Sequence, residues 1–163
     1  MKNKNELALV LYPSIQGMGY LICESPKELV DYGIAKMRPL TNDKYVNRLL
    51  KFMRNYKPSL IIVRGYEFKD YRISKRVKKM IDAFVAEANK YNLPVRKYSR
   101  TQIKEVFKQF GADTKYTISK TISSWYPELA PKLPSIRKNY EPEHYRMMLF
   151  DVFALMLTDQ YLK

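Results

Sequence analysis

The side chains in this sequence best suited to chemistry are cations. From Lys69 to Lys79 the segment KDYRISKRVKK sets six basic residues among eleven, with Tyr71 between them. Lys69, Arg72, Lys75, Arg76 and Lys79 are groups that contact phosphates, and Tyr71 offers a ring on which an unpaired base can stack. A second basic cluster follows at Arg96, Lys97, Arg100, Lys104, Lys108 and Lys115. The simpler reading of either run is a solvated helix face, and the presence of both in neighbouring segments argues against it. Carboxylates are scarcer. Glu67 and Asp70 fall in a loop beside Lys69 and Arg72, and His144, the sole histidine, stands two helical turns before Asp151. Glu67, Asp70 and His144 are the residues of this group that could serve as metal ligands. Against them, loop carboxylates beside cations are ordinarily solvated, and a histidine near a helix start ordinarily caps or faces water. No metal site is assigned from this pattern.

The overall charge agrees with a polyanionic partner. Thirty Lys and Arg against sixteen Asp and Glu give a formal charge of +14, which repels itself in a compact globule unless a counter-charge is supplied. Nucleic acid fits better than a membrane, because no segment offers a free-standing helix with one basic and one apolar face. Cys23 is the only cysteine, so neither an internal disulfide nor a cysteine zinc cluster is expected, and a reducing cytoplasm is the expected location. No window approaches the ~18 apolar residues of a membrane span, and the first apolar stretch is too short for a signal peptide. Residues 1–163 are the right length for one domain with its own core.

The elements that must position these residues alternate between strands and helices. Leu7 to Leu11 is an apolar run of strand length that Pro13 is expected to end. Gly17 and Gly19 supply a turn, and Tyr20 to Cys23 returns as a second strand. Leu29 to Met37 reads as a third strand, ending at Pro39. Thr41 or Asn42 caps a helix to about Tyr56, with Val46, Leu49, Leu50 and Met53 on one face. SLIIV after Pro58 is a strand parallel to the first. Ser74 to Tyr91 is an amphipathic helix, with Val77, Met80, Ile81, Phe84, Val85 and Ala88 in period, and Leu93 to Tyr98 is the last strand. Ser99 and Gln102 form a capping box for a helix that Gly111 stops. A further helix spans Thr114 to Trp125. The stretch YPELAPKLPSIRKNYEPE holds four of the nine prolines and reads as a loop, after which Pro142 opens the last helix. Both parallel crossovers are helical, as their geometry requires.

Several segments carry a family resemblance. YPSIQGMGYLI is similar, without gaps, to a pattern of Asp, Pro, Gly, four variable residues, Gly and Tyr, with Pro13, Gly19 and Tyr20 in place. PSLIIVRGYEF resembles the strand bearing a second acid. LPVRKYSRTQIKEVFKQFGADTK resembles the last strand and the basic helix after it, with Gln102, Lys104, Gly111 and Lys115 matching, and DVFALMLT resembles a closing helix with an Asp-x-x-Ala pattern. These are the segments of the RuvC-like Holliday junction resolvases, and the resemblance spans about residues 7 to 158.

The resemblance implies an α/β, ribonuclease H-like fold: a five-stranded mixed sheet of order 3-2-1-4-5 flanked by helices, in a homodimer whose basic loop and helix face the junction. It implies substrate-phosphate contacts for Lys104 and Lys115. It also implies a nuclease site in which about four acidic or histidine ligands hold two divalent cations, Mg or Mn. Matched by position, however, the first aspartate is Tyr12, the glutamate is Arg64, a C-terminal ligand is Met148, and only Asp151 remains. One carboxylate cannot hold two hard cations. A guanidinium roughly 5 Å from a divalent ion costs about 6 to 7 kcal/mol at an effective dielectric near 20. The same fork suits a phosphate. Tyr12 then fills the volume of the lost site; as a nucleophile it has no base provided by any motif.

The sequence therefore reads as a degenerate RuvC-like protein that binds DNA, including branched DNA, without efficient cleavage or a cofactor. One alternative is an active Mg- or Mn-dependent endonuclease with displaced ligands. Another is a scaffold for a protein or RNA partner.

Overall fold

The computed structural model describes residues 6–36, 41–67, 70, 72–138 and 140–163. Strand β1, Ala8–Ser14, is the apolar run ALVLYPS, buried along its middle. It is the central strand of one five-stranded sheet of order β3-β2-β1-β4-β5, with β2 at Gly17–Ser25, β3 at Glu28–Ala35, β4 at Leu60–Arg64 and β5 at Val95–Tyr98. β1 runs antiparallel to β2 and parallel to β4, and β4 runs parallel to β5. This is the mixed sheet and strand order expected above.

Side chains alternate across the sheet, so each face builds its own core. Leu9, Leu11, Met18, Ile61 and Val63 pack against helices α1, Asn42–Tyr56, and α2, Lys75–Lys90. Val10, Tyr12, Leu21 and Ile62 pack on the other face. There they meet α3, Arg100–Lys108, α4, Lys115–Trp125, and α5, Met147–Leu162. Helix α5 is buried continuously from Met147 to Asp159, because it is sandwiched between the sheet and the α3–α4 pair. The expected caps are present, with Thr41 beginning α1 and Ser99 with Gln102 closing a capping box on α3, and Ser74 also caps α2.

The structure corrects several sequence expectations. Pro13 does not end β1, which continues to Ser14 opposite Gly17. Pairing with β4 has already stopped at Leu11, so the missing N–H costs no ladder bond there. Gly17, at φ +144°, is the turn glycine, whereas Gly19 lies within β2 opposite Tyr12. Its role is close approach: a Cβ at Gly19 would sit 2.5 Å from the Met148 carbonyl oxygen of α5. Of the expected α1 face, Leu49 is buried and Met53 packs on the core, but Tyr45 and Phe52 are buried in place of Val46 and Leu50. Part of the proline-rich loop, Pro127–Lys132, winds into a 3-10 helix. Pro142 lies outside α5, which begins only at Met147. β3 ends at Ala35, while Met37 and Pro39 lie outside the described residues. Among the described residues no helix is long and apolar enough to cross a membrane.

Candidate nucleic-acid interface

The parallel strands β1 and β4 end side by side, and the crevice beyond such strand ends is where open α/β sheets bind ligands. Alternation along β1 and β4 turns Tyr12, Ser14 and Arg64 toward α5. Tyr12 is 2% exposed. The Arg64 guanidinium lies 4.5 Å from the centroid of the Tyr12 ring, a cation–π contact, and its Nη1 donates to the Pro13 carbonyl at 2.8 Å. Met148, in the first turn of α5, is buried, and its Sδ accepts from the Ser14 hydroxyl at 3.0 Å. One turn further along α5 is Asp151. The four positions singled out in the sequence, Tyr12, Arg64, Met148 and Asp151, thus meet around the ends of β1 and β4.

Asp151 is 3% exposed and is held by cations. Arg100 Nη1, from the first turn of α3, lies 3.4 Å from one carboxylate oxygen, and Lys115 Nζ, from the first turn of α4, lies 3.3 Å from the other. Lys115 also reaches Glu143 at 2.7 Å. Burial pulls the Lys115 pKa down, but Asp151, Tyr12 and Glu143 together outweigh it and hold the ammonium above its ordinary value. Arg100 and Lys115 thus face Asp151 and Glu143, and Arg64 adds a third cation over the Tyr12 ring. Two polar atoms here are buried without a hydrogen-bond partner: the Tyr12 hydroxyl and Arg100 Nη2. Buried groups of this kind are rare because each costs desolvation that nothing returns.

The donor set does not fit the two-metal centre that the resemblance implies. Asp151 is already bonded to two cations. The Glu67 carboxylate accepts from the Ser99 hydroxyl at 3.3 Å, and the Asp70 carboxylate accepts from the Arg72 backbone N–H at 3.0 Å. His144 is exposed before α5, its Nδ1 accepting from the Arg146 backbone N–H at 3.1 Å. Among the described residues no three His, Cys, Asp or Glu side chains come together as ligands. Asp151, Glu67 and His144 thus do not form a ligand group among the described residues.

The basic residues divide between two surfaces. Lys69 and Tyr71 lie outside the described residues. Arg72, Lys75, Arg76 and Lys79 are exposed around the start of α2, where Lys75, Arg76 and Lys79 face Thr41, Asn42 and Asp43 of α1 across a cleft of about 480 Å³. Lys104 is half-buried on α3 and Lys115 begins α4. Lys97 and Lys108 are exposed. Arg96 leaves this group, because it is bonded to Asp159 at 3.1 Å. One participant was missed from sequence: Glu143 stood in a loop with no pattern to mark it. Arg100 was named in the basic cluster but not singled out within it; its position directly after the capping Ser99 was the signal that it would sit in a fixed first turn.

Sheet order, the two helical layers and the strand-end crevice define a ribonuclease H-like α/β fold. More particularly, it is the fold of the RuvC-like resolvases. Thermus thermophilus RuvC matches at a TM-score of 0.64 and 16% identity, over 95% of this chain and 93% of that one. The same protein solved in complex with a Holliday junction substrate matches at 0.63 and 15%, over 96% and 93%. The yeast mitochondrial Holliday junction resolvase matches at 0.55 and 7%, over 99% and 83%. No protein-family model matches the chain, and no curated protein matches its sequence. At such identities the likeness is one of fold.

Proposed function

We propose that this chain binds DNA, branched DNA above all, through its basic surfaces, as a homodimer and without efficient cleavage. The observation that carries this reading is the environment of Asp151: its carboxylate is paired with Arg100 and Lys115, and Arg64 lies over the Tyr12 ring, where a metal nuclease would need more carboxylates. A DNA phosphate entering the crevice would accept from Arg64 and from Arg100 Nη2, which has no partner of its own, while Lys115 supplies a point charge. Lys104 on this face and the exposed cations of α2 on the other would contact further phosphates, where they fix register and carry no sequence information. Two such surfaces related by a two-fold axis would suit a branched substrate with like arms. The likeness to a RuvC structure that holds a Holliday junction supports branched DNA as the form to test.

The test compares the purified protein on a labelled four-way junction, a duplex and a single strand, with and without manganese, read for retardation and for cleavage. Retardation strongest on the junction and indifferent to manganese is expected, with no new product bands. If about six to eight phosphates are neutralised, log affinity falls with log salt at a slope of roughly −5 to −7. A flat salt dependence removes DNA as the partner. Manganese-dependent nicking that Asp151→Asn abolishes would establish the endonuclease instead.

A further inference from the structure

Beside the phosphate crevice lies a second cavity that phosphate binding does not use. It has a volume of about 610 Å³ and is lined by Gln16, Lys36, Pro142, Glu143, His144 and Tyr145. Its walls come from three parts of the chain: the tip of the β1–β2 hairpin, Lys36 directly after β3, and the segment before α5. The first and last are tied together where Gln16 Nε2 donates to the Glu143 carbonyl at 3.0 Å. The His144 and Tyr145 rings stack at 4.8 Å between centroids and 28° between planes, and Tyr145 remains 39% exposed. The Lys36 ammonium lies 3.9 Å from the Tyr145 ring centroid. Glu143 is the shared wall: the same residue is paired with Lys115, which in turn touches Asp151.

We propose that this cavity receives one unpaired nucleobase from the strand whose phosphate lies on Arg64 and Lys115. The inference rests on the DNA-binding reading above and names the feature of the DNA that is recognised. An open cleft of this size, with ring walls and a few polar groups, can seat a small planar ligand against its rings. Base-on-ring stacking tolerates any base and is stronger than an exposed cation–π contact, so an incoming base can displace the Lys36 ammonium from Tyr145. The displaced ammonium then stands beside the backbone of the bound strand. With Nδ1 of His144 accepting from the Arg146 N–H, the neutral ring carries its proton on Nε2, a donor for a base edge, and the Gln16 amide supplies an acceptor. A base within a duplex would first have to leave its stack, whereas a base at a branch point, bulge or flap is already free of its partner. The cavity thus favours DNA with an unpaired nucleotide over continuous duplex.

The test uses the full chain and two DNAs of equal length, one fully paired and one with a single bulged 2-aminopurine, read by anisotropy and by 2-aminopurine fluorescence. The expected result is about tenfold tighter binding of the bulged DNA, with a change in its fluorescence on binding. His144→Ala with Tyr145→Ala should reduce that preference to near unity while leaving duplex affinity, salt slope and melting temperature unchanged. Tyr145→Phe should retain it. Arg64→Ala should weaken both DNAs alike and keep their ratio. An unchanged preference in the double variant, or an equal loss on both DNAs, overturns the base pocket while the DNA-binding reading stands. Wild-type protein that binds neither DNA overturns both.

Discussion

Helix α5 carries two buried aspartates whose surroundings differ, although Asp151 is 3% exposed and Asp159 5%. Asp159 is saturated at short range. The Tyr98 hydroxyl donates to it at 2.7 Å and Arg96 Nη1 lies 3.1 Å from each of its oxygens. Asp151 is held more loosely, by Arg100 at 3.4 Å and Lys115 at 3.3 Å, and it has an orphaned Arg100 Nη2 and an orphaned Tyr12 hydroxyl for neighbours. A fully satisfied buried network stabilises one arrangement, whereas a partly satisfied one leaves polar groups desolvated without a partner. The contrast separates a saturated carboxylate from one whose neighbours are unsatisfied, a distinction that burial alone does not make.

The strongest way to break this contrast is to remove the cations from the Asp151 end. Arg64→Ala combined with Lys115→Ala should lower junction affinity by about 3 kcal/mol or more, roughly a hundredfold, since a hydrogen bond to a charged group contributes about 1.5 to 3 kcal/mol. The salt slope should become shallower by about 2. Asp151→Asn, which removes negative charge from the same place, should preserve or raise affinity. If Asp151→Asn instead weakens binding as the double variant does, the carboxylate is a partner of the ligand rather than a counter-ion to be displaced.

The other end answers to folding. Asp159→Ala deletes three charge-assisted contacts and leaves the Tyr98 hydroxyl buried without an acceptor. Because Arg96 is 42% exposed and water can re-solvate it, the expected loss is about 2 to 3 kcal/mol of unfolding free energy, less than for a fully buried pair. DNA affinity of the folded protein should not change. The same network has a pH signature. Burial, and then the hydrogen bond to Asp159, push the Tyr98 pKa up to about 12, and burial also pushes Tyr45 and Tyr126 up to about 12. The folded chain therefore keeps these protons where an unfolded tyrosine, at 10.0, releases them. Their stabilisation is complete below pH 10.0 and is lost as pH rises toward about 12. Denaturant midpoints should fall across that window, and less steeply in Asp159→Ala.

Much of the fold was legible because local signals agreed with it. The capping box at Ser99, the 3.6-residue period from Val77 to Ala88 and the glycine stop at Gly111 each fixed an element without tertiary help. What escaped depended on contacts between distant segments. Pro13 stays in β1 because β4 has stopped pairing beside it, and Gly19 is small because α5 presses on it; neither fact has a local signature. The site was half legible for the same reason. Tyr12, Arg64, Met148 and Asp151 could be placed by motif, but Glu143 belongs to a loop, and Arg100 was separated from Arg96 only by the fold. Gly19→Ala tests the first kind of contact. Its Cβ would meet the Met148 carbonyl oxygen, a backbone atom that cannot rotate away, so about 1 to 3 kcal/mol of stability should be lost in chemical denaturation.

The smallest effect discriminates most finely between the two aspartates. Glu143 and Lys115 are each about a third exposed, and an ion pair in such a setting contributes about 0.2 to 1 kcal/mol. Glu143 nevertheless occupies the ammonium that a phosphate would engage, so the two compete for Lys115. Glu143→Gln should therefore tighten junction binding about two- to fivefold at low salt, the gain shrinking as screening increases. Asp159 has no such rival: Arg96 and Tyr98 are committed to it, and neutralising a surface carboxylate near it should leave DNA affinity flat. Weaker binding by Glu143→Gln, measured across the same salt series, would mean that Glu143 orients Lys115 for the phosphate instead of masking it. In that case the positive charge around Asp151 would already be positioned before any DNA arrives.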